Sequence, residues 1–395
     1  MSGGAAGQVL PAIISGPDAD CSGDPRRMGR LQGSALAGKI QAARLALREL
    51  EALRLEQPWW LPFGLFLRLC ERRAGLLMEP ALAAGARDGA ERLLGIAEGA
   101  GADPRTLYLL NSLEPFLSFL KGRFIASPAA CSAVAVRGSR SATGEPMIAR
   151  NFDYVPLAQP FYALRKSRPH GRLESLDFTL APLAGAIDGL NERGLAITYD
   201  YAYTLDDGVA APSISFVISE ALERCGTVAD AAELIASRPR WGGALLMLAD
   251  PSGDIASLEL SSTRSALRRP APGEDFLVHT NSFGGAATRE VEVPRSAVFT
   301  SRAPRALRGK RVHESAEMRR QRMEALVTKL GSLSDEGLAA VMSDHGEEGK
   351  PSGLTPCVHS DYWNTTACLQ LFPVARRLRA SFTYACRPAY RELSL

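Results

Sequence analysis

Cys131 stands in "SPAACSAVAVRG", where a helix-rich stretch gives way to an alternating, β-like run. Nineteen and twenty-two residues later, "ARNFDY" carries Arg150 and Asp153, and "HTNSF" carries Asn281 further on. "SAEMRRQRM", residues 315–323, opens a helical stretch with arginines. Amide cleavage by a thiol needs a thiolate, a base for its proton and a donor for the tetrahedral oxyanion. No histidine lies near Cys131 in the chain. A cut at Ala130–Cys131 would supply a base from the cysteine itself, because an α-amine titrates at about 7.7–8.0. Arg150 would then favour the thiolate, Asp153 would orient the amine, and Asn281 would offer its side-chain N–H. The two charges act on the amine in opposite senses, the guanidinium lowering its pKa and the carboxylate raising it. A distant histidine folding close, such as His279 or His359, is the alternative base and needs no cut. A binding protein that keeps the uncut chain is the alternative to an enzyme.

These residues must be positioned by a hairpin. "CSAVAVRG" and "EPMIARNF" flank the turn region "SRSATG", which would return Arg150 and Asp153 to the end of the strand that Cys131 starts. Further strands are expected at "SLDFTLAPL", "GLAITYDY", "GALLMLAD", "IASLEL", "DFLVHT", "ACLQLFP" and "RLRASFTYA". Helices are expected over about 213–225, 227–237 and 314–330, with Thr227 and Asp230 forming a capping box. Ahead of Cys131, Leu36, Ile40, Ala43, Leu47 and Leu50 recur at helical steps and predict a helix over 34–56. Another is expected over 80–99, and a third starts at Pro104 with Asp103 as its cap. Strands, then helices, then strands indicate an α+β protein. Three parts follow: a flexible leader over 1–33, a helical segment over 34–130 and a mainly β body over 131–395.

Composition narrows the classes. The 395 residues carry a net charge of +3, which does not itself point to nucleic acid. The basic stretch Arg302–Arg322, with eight Arg or Lys against two Glu, reads as a solvated face. Seven cysteines without a CxxC pair argue against a disulfide framework and for reduced thiols in the cytoplasm. No apolar run approaches the ~18 residues of a membrane span, so no membrane association is expected. Phosphate-loop, dinucleotide and HExxH patterns are missing. Cys357-x-His359 is too little for zinc, which takes four ligands or three and a water. No metal and no cofactor are expected.

"ARNFDY", "GLNERGLAITYDY", "LMLADPSGDIASLEL", "HTNSF" and "PCVHSDYWNTTACLQLF" after Cys131-Ser132 together resemble the N-terminal-nucleophile (Ntn) cysteine hydrolases. Within that group the likeness is to the acyl-coenzyme A:6-aminopenicillanate acyltransferases, related to choloylglycine hydrolases, penicillin V acylases and acid-ceramidase-like amidases. "RLLGIAEGAGADPRTLYLLN" is similar to the prosegment of the acyltransferases, and the likeness covers roughly 35–385. It implies a four-layer αββα sandwich with a helical prosegment and autocatalytic cleavage between Ala130 and Cys131. It also implies an acyl-enzyme formed from a linear amide, resolved by water or by an amine acceptor. Residue by residue, Cys131 matches the nucleophile, Arg150 and Asp153 the Arg-x-x-Asp pair, and Asn281 the oxyanion asparagine. Tyr201 falls on the second oxyanion position, where bile salt hydrolases have Asn and penicillin V acylases Tyr. Arg319 matches the late arginine, with Arg320 and Arg322 fitting nearly as well. The partner implied is a small-molecule amide or acyl donor. The two cleaved chains are expected to stay together, and homo-oligomerisation is left open.

Overall fold

The alternation around Cys131 does what its period dictates. In the computed structural model, which describes residues 13–121, 129–206, 208 and 210–395, the strands Ala129–Val136 and Met147–Tyr154 form an antiparallel hairpin. Cys131, Ala133 and Ala135 face an apolar layer between two sheets. Val134 and Val136 face the other way, onto Met323 and Val327 of the helix Glu314–Leu330. The strand begins at Ala129, two residues earlier than expected, so Cys131 lies inside it and not at its start.

One sheet runs in the order Ile13–Ile14, Arg391–Ser394, Arg377–Ser381, Asn364–Phe372, Met147–Tyr154, Ala129–Val136 and Phe276–His279. The other runs Ser265–Arg268, Ile255–Leu260, Gly243–Ala249, Ala196–Ala202, Asp188–Asn191, Ser175–Leu180, Tyr162–Pro169 and Ala19–Gly23. Glu314–Leu330 and Asp335–Met342 cover the outer face of the first sheet, burying Met323, Val327, Leu338 and Val341. Ile214–Arg224 and Val228–Ser237 cover the second, burying Ile218, Leu222 and Ile235. The result is the expected αββα sandwich. The cap expected at Thr227 is present, its hydroxyl accepting from Asp230 N at 3.1 Å.

The N-terminal segment differs more. The expected flexible leader is folded from Ile13 on: Ile13–Ile14 pairs with Arg391–Ser394, Ala19–Gly23 joins the edge of the second sheet beside Tyr162–Pro169, and Pro25–Ala35 is a helix. Asp24 caps that helix and Pro25 opens it, the same signature that Asp103 and Pro104 give at Pro104–Asn111. The helix expected over 34–56 is split into Ala37–Ala46 and Glu51–Arg54, although the periodic residues from Leu36 to Leu50 are all buried. The apolar period reports the buried face, which continues while the chain turns at Leu47–Leu50. The helix expected at 80–99 is two, Phe63–Gly85 and Arg87–Ala100, divided at Ala86, and the first runs through Pro80, which it carries on its solvent side. Among the described residues no helix is long and apolar enough to cross a membrane.

Pro25–Ala35 and Arg87–Ala100 cross at glycines. A Cβ on Gly29 would lie 2.1 Å from Arg92 O, and one on Gly95 would lie 2.1 Å from Arg26 O. Backbone against backbone leaves no side chain to move aside. Gly95→Val is therefore expected to destabilise the full chain by about 3 kcal/mol or more. Urea unfolding would read this, and a midpoint unchanged from wild type would contradict the packing.

Candidate active site

The hairpin register sets the site. Ala130 pairs with Asp153, Cys131 with Phe152 and Ala133 with Arg150. Cys131 and Arg150 thus project toward the opposite sheet, while Ser132 and Asp153 face the helix Glu314–Leu330. Arg150, fully buried, donates from Nη2 to Cys131 Sγ at 3.1 Å and to Tyr199 O. Its Nη1 reaches Asp188 Oδ2 at 2.8 Å and its Nε reaches Asp200 Oδ1 at 3.2 Å. The guanidinium carbon lies 4.5 Å from the centroid of the Phe152 ring. Five donors in a rigid fork make such simultaneous contacts available to Arg and not to Lys.

Around the Cys131 main chain, Asn281 Oδ1 accepts from the amide N–H at 2.8 Å. Asn281 Nδ2 donates to Tyr201 O at 2.8 Å, which uses one of its two amide hydrogens. Arg319 donates from Nη1 to Cys131 O and Ser132 Oγ, both at 2.5 Å, and from Nη2 to Asn281 Oδ1 at 2.8 Å. It also lies 3.5 Å from Asp153 Oδ2. Arg320 and Arg322 turn away and pair with Glu324 and Asp344. Asp153 Oδ1 accepts from Thr365 Oγ1 at 2.6 Å, whereas its buried Oδ2 has no hydrogen-bond donor.

Burial decides the charge states. It pushes the Cys131 thiol well above its usual range, against the pull of Arg150. It also raises Asp153 to about 7, opposed by Arg319 and then by the Thr365 hydroxyl. Asp188 is raised to about 6 and Asp200 to about 7, with Arg150 resisting in both. Beside Cys131, then, stands a carboxyl with one orphaned oxygen and an arginine too weak alone to ionise the sulfur.

Of the residues singled out in the sequence, Cys131, Arg150, Asp153, Asn281 and Arg319 converge. Tyr201 contributes its carbonyl to Asn281, and its ring lines a neighbouring cleft. Among the described residues no histidine hydrogen-bonds the Cys131 sulfur. His279 bonds Ser257 Oγ at 2.8 Å and lies 3.6 Å from Asp200, and His359 belongs to a separate cluster of Cys and His side chains. Asp188, Asp200 and Thr365 were missed. A signal existed for the two aspartates, since each sits among the apolar residues of a strand ("IDGL", "ITYDY") where an unpaired charge is costly.

His279 carries a pH prediction. Burial, with Arg268 and Arg150 adding to it, pushes its ring down to about 3. The unfolded chain binds the proton at about 6.5 and the native ring refuses it. Stability is then present above 6.5 and lost as pH falls, by about 2 kcal/mol between pH 7 and pH 5. His279→Gln should flatten that part of the urea-midpoint profile. Parallel profiles for wild type and variant would refute the assignment.

The sequence matches the family described as acyl-coenzyme A:6-aminopenicillanic acid acyl-transferase over residues 140–382, beginning just after Cys131. No curated protein matches it. Three solved structures are similar. A Caenorhabditis elegans N-acylethanolamine-hydrolyzing acid amidase ortholog is 14% identical, with a TM-score of 0.42, over 62% of this chain and 93% of that one. A penicillin V acylase from Agrobacterium tumefaciens is 16% identical, with a TM-score of 0.41, over 67% and 86%. A variant of the conjugated bile acid hydrolase from Clostridium perfringens is 12% identical, with a TM-score of 0.40, over 67% and 92%.

Proposed function

The chain belongs to the acyl-coenzyme A:6-aminopenicillanic acid acyl-transferase family, and from this premise we propose that it cuts itself before Cys131 and then cleaves linear amides. In the first stage the Cys131 sulfur attacks the Ala130 carbonyl carbon. The Ala130–Cys131 C–N bond breaks, a thioester joins Ala130 to the sulfur, and the thiol proton passes to the departing nitrogen. Water then hydrolyses the thioester, leaving an Ala130 carboxylate, the free thiol and a new α-amine.

In the second stage that amine, one residue's covalent reach from its own sulfur, takes the thiol proton as the sulfur attacks a substrate carbonyl. The amine group of the substrate leaves with the proton, and the acyl group stays as a thioester on Cys131. Water or an amine acceptor then releases it. In this scheme Asn281 Nδ2 donates to the oxyanion, with Arg319 bonded to Asn281 Oδ1 in support. Asp153 Oδ2, which lacks a hydrogen-bond donor in the uncut chain, receives one in the same scheme from the freed ammonium.

The observation that carries this reading is that Cys131 is held by both ends: Arg150 at the sulfur, Asn281 at the amide nitrogen. A core thiol needs neither. Burial pushes the thiol toward its protonated form against the pull of Arg150, which favours a mechanism that brings a base to it. Rapid quenching during turnover of an N-acyl amide, followed by mass analysis, should reveal the acyl group on a peptide that begins with Cys131. An adduct elsewhere, or turnover by an uncut chain, would sink the proposal and favour a Cys–His enzyme.

The acyl group is assigned as apolar. A cleft with about 1120 Å³ of free space, its open mouth included, runs from Phe152 and Tyr201 past Leu47, Leu157, Phe161 and Leu183. Each methylene buried there contributes about 0.8 kcal/mol, so kcat/KM should rise roughly fourfold per added methylene until the cleft is full. A flat profile across straight-chain N-acyl amides would exclude the cleft as the acyl site. The N-terminal chain forms part of its wall through Leu47, Leu110 and Glu114, the last accepting from Tyr199 OH at 2.9 Å. Gln32 and Arg92 tie the same chain to the β body at Ala181, Leu183 and Ser167, which supports lasting association after the cut. The seven cysteines are free of disulfides, in keeping with a cytoplasmic location.

A further inference from the structure

Away from the cleft, two loops bring two cysteines and two histidines together. His345 follows the helix Asp335–Met342, Cys357 and His359 precede the strand Asn364–Phe372, and Cys386 lies in the turn after Arg377–Ser381. The four ligand atoms lie within 4.8 Å of one another. His359 Nε2 is 3.4 Å from Cys357 Sγ and 3.7 Å from Cys386 Sγ. With zinc–sulfur near 2.3 Å and zinc–nitrogen near 2.05 Å, the nitrogen–sulfur edge of a tetrahedral site is about 3.6 Å. His345 Nε2 is buried and has no hydrogen-bond partner, which is costly for a lone imidazole and natural for a ligand. Stacking on Tyr384, with centroids 4.1 Å apart and planes 5° apart, fixes the His359 ring. Cys357-x-His359 alone is too small a set; the fold adds the other half.

We propose that His345, Cys357, His359 and Cys386 bind one zinc ion as a closed, structural site. Two thiolates and two imidazoles in a tetrahedral arrangement favour zinc over magnesium or calcium, which take oxygen. Four protein ligands leave no open position, so the ion supplies rigidity and not chemistry. Binding expels the two thiol protons and leaves the cysteines unoxidised. The ion would clamp the loop that leads into the strand Asn364–Phe372, whose Thr365 donates to Asp153.

The test is elemental analysis of the purified full-length protein after dialysis against a mild chelator. About one zinc per chain is expected in the wild type and in Cys131→Ala, which separates this inference from the proposed catalysis. Less than a tenth of that is expected in His345→Ala and in Cys386→Ser. Because a variant that misfolds would also lose metal, cobalt is exchanged into the wild type as a second readout. Thiolate-to-cobalt charge-transfer bands with tetrahedral visible bands are expected. Metal-free wild type with two titratable thiols overturns the proposal. So does a Cys357–Cys386 disulfide, seen as a chain lighter by two hydrogens, or a cobalt spectrum without thiolate bands.

Discussion

Arg150→Met is expected to destabilise the protein by about 3–5 kcal/mol, the cost of leaving a buried charge without its partner. Two carboxyls are stranded at once, since Asp188 and Asp200 both bond the guanidinium and both are fully buried. Methionine fills much of the volume, so packing contributes little to the loss. The effect should also depend on pH in a definite sense. Even with Arg150 present, burial holds Asp188 at about 6 and Asp200 at about 7, above their unfolded value near 3.9. A carboxyl raised in the native state binds more protons there than in the unfolded chain. Its contribution is therefore fully present below about pH 4 and lost as pH rises through its folded pKa. Removing Arg150 raises both further and extends that loss. The gap between variant and wild type, read from urea midpoints, should be smaller at pH 5 than at pH 8. A gap under 1 kcal/mol, or one equal at both pH values, would contradict the burial argument.

Cys131→Ala carries the second large effect. Turnover of a linear amide should fall by ~10⁴-fold or more, because the variant has no atom to hold the acyl group. Asn281→Ala alone should cost ~10²–10³-fold in kcat, the usual loss for one oxyanion donor. Placed on top of Cys131→Ala it should cost almost nothing further, since groups that act as a unit do not add. Additive losses would mean that the two residues serve different steps. Thermal midpoints of the variants serve as the control that each chain is folded.

Much of this site could be read in the sequence because it is built on one hairpin. The span from Cys131 to Arg150 and Asp153 fixes which residues share a sheet end, and a register follows from turn length and alternation. Asn281 and Arg319 were reached through motif order and not through spacing. Their meeting at the Cys131 main chain depends on how a neighbouring strand and a helix pack. Asp188 and Asp200 lie on the opposite sheet, and no local pattern says that two sheets will face each other at those positions. The Cys–His cluster was invisible for the same reason, its ligands being spread from 345 to 386. The misread leader shows a different failure. Its Gly- and Pro-rich composition masks the Asp24–Pro25 cap, although the identical pair at Asp103–Pro104 predicts a helix start. Local capping chemistry was the better guide in both places.

Whether the junction at Cys131 is a self-made active site is read from the mass of the denatured, purified wild type. Two polypeptides are expected, one ending at Ala130 and the other starting at Cys131, while Cys131→Ala stays a single chain of 42.3 kDa. A wild type that remains one 42.3 kDa chain yet turns over an amide would contradict a self-made site.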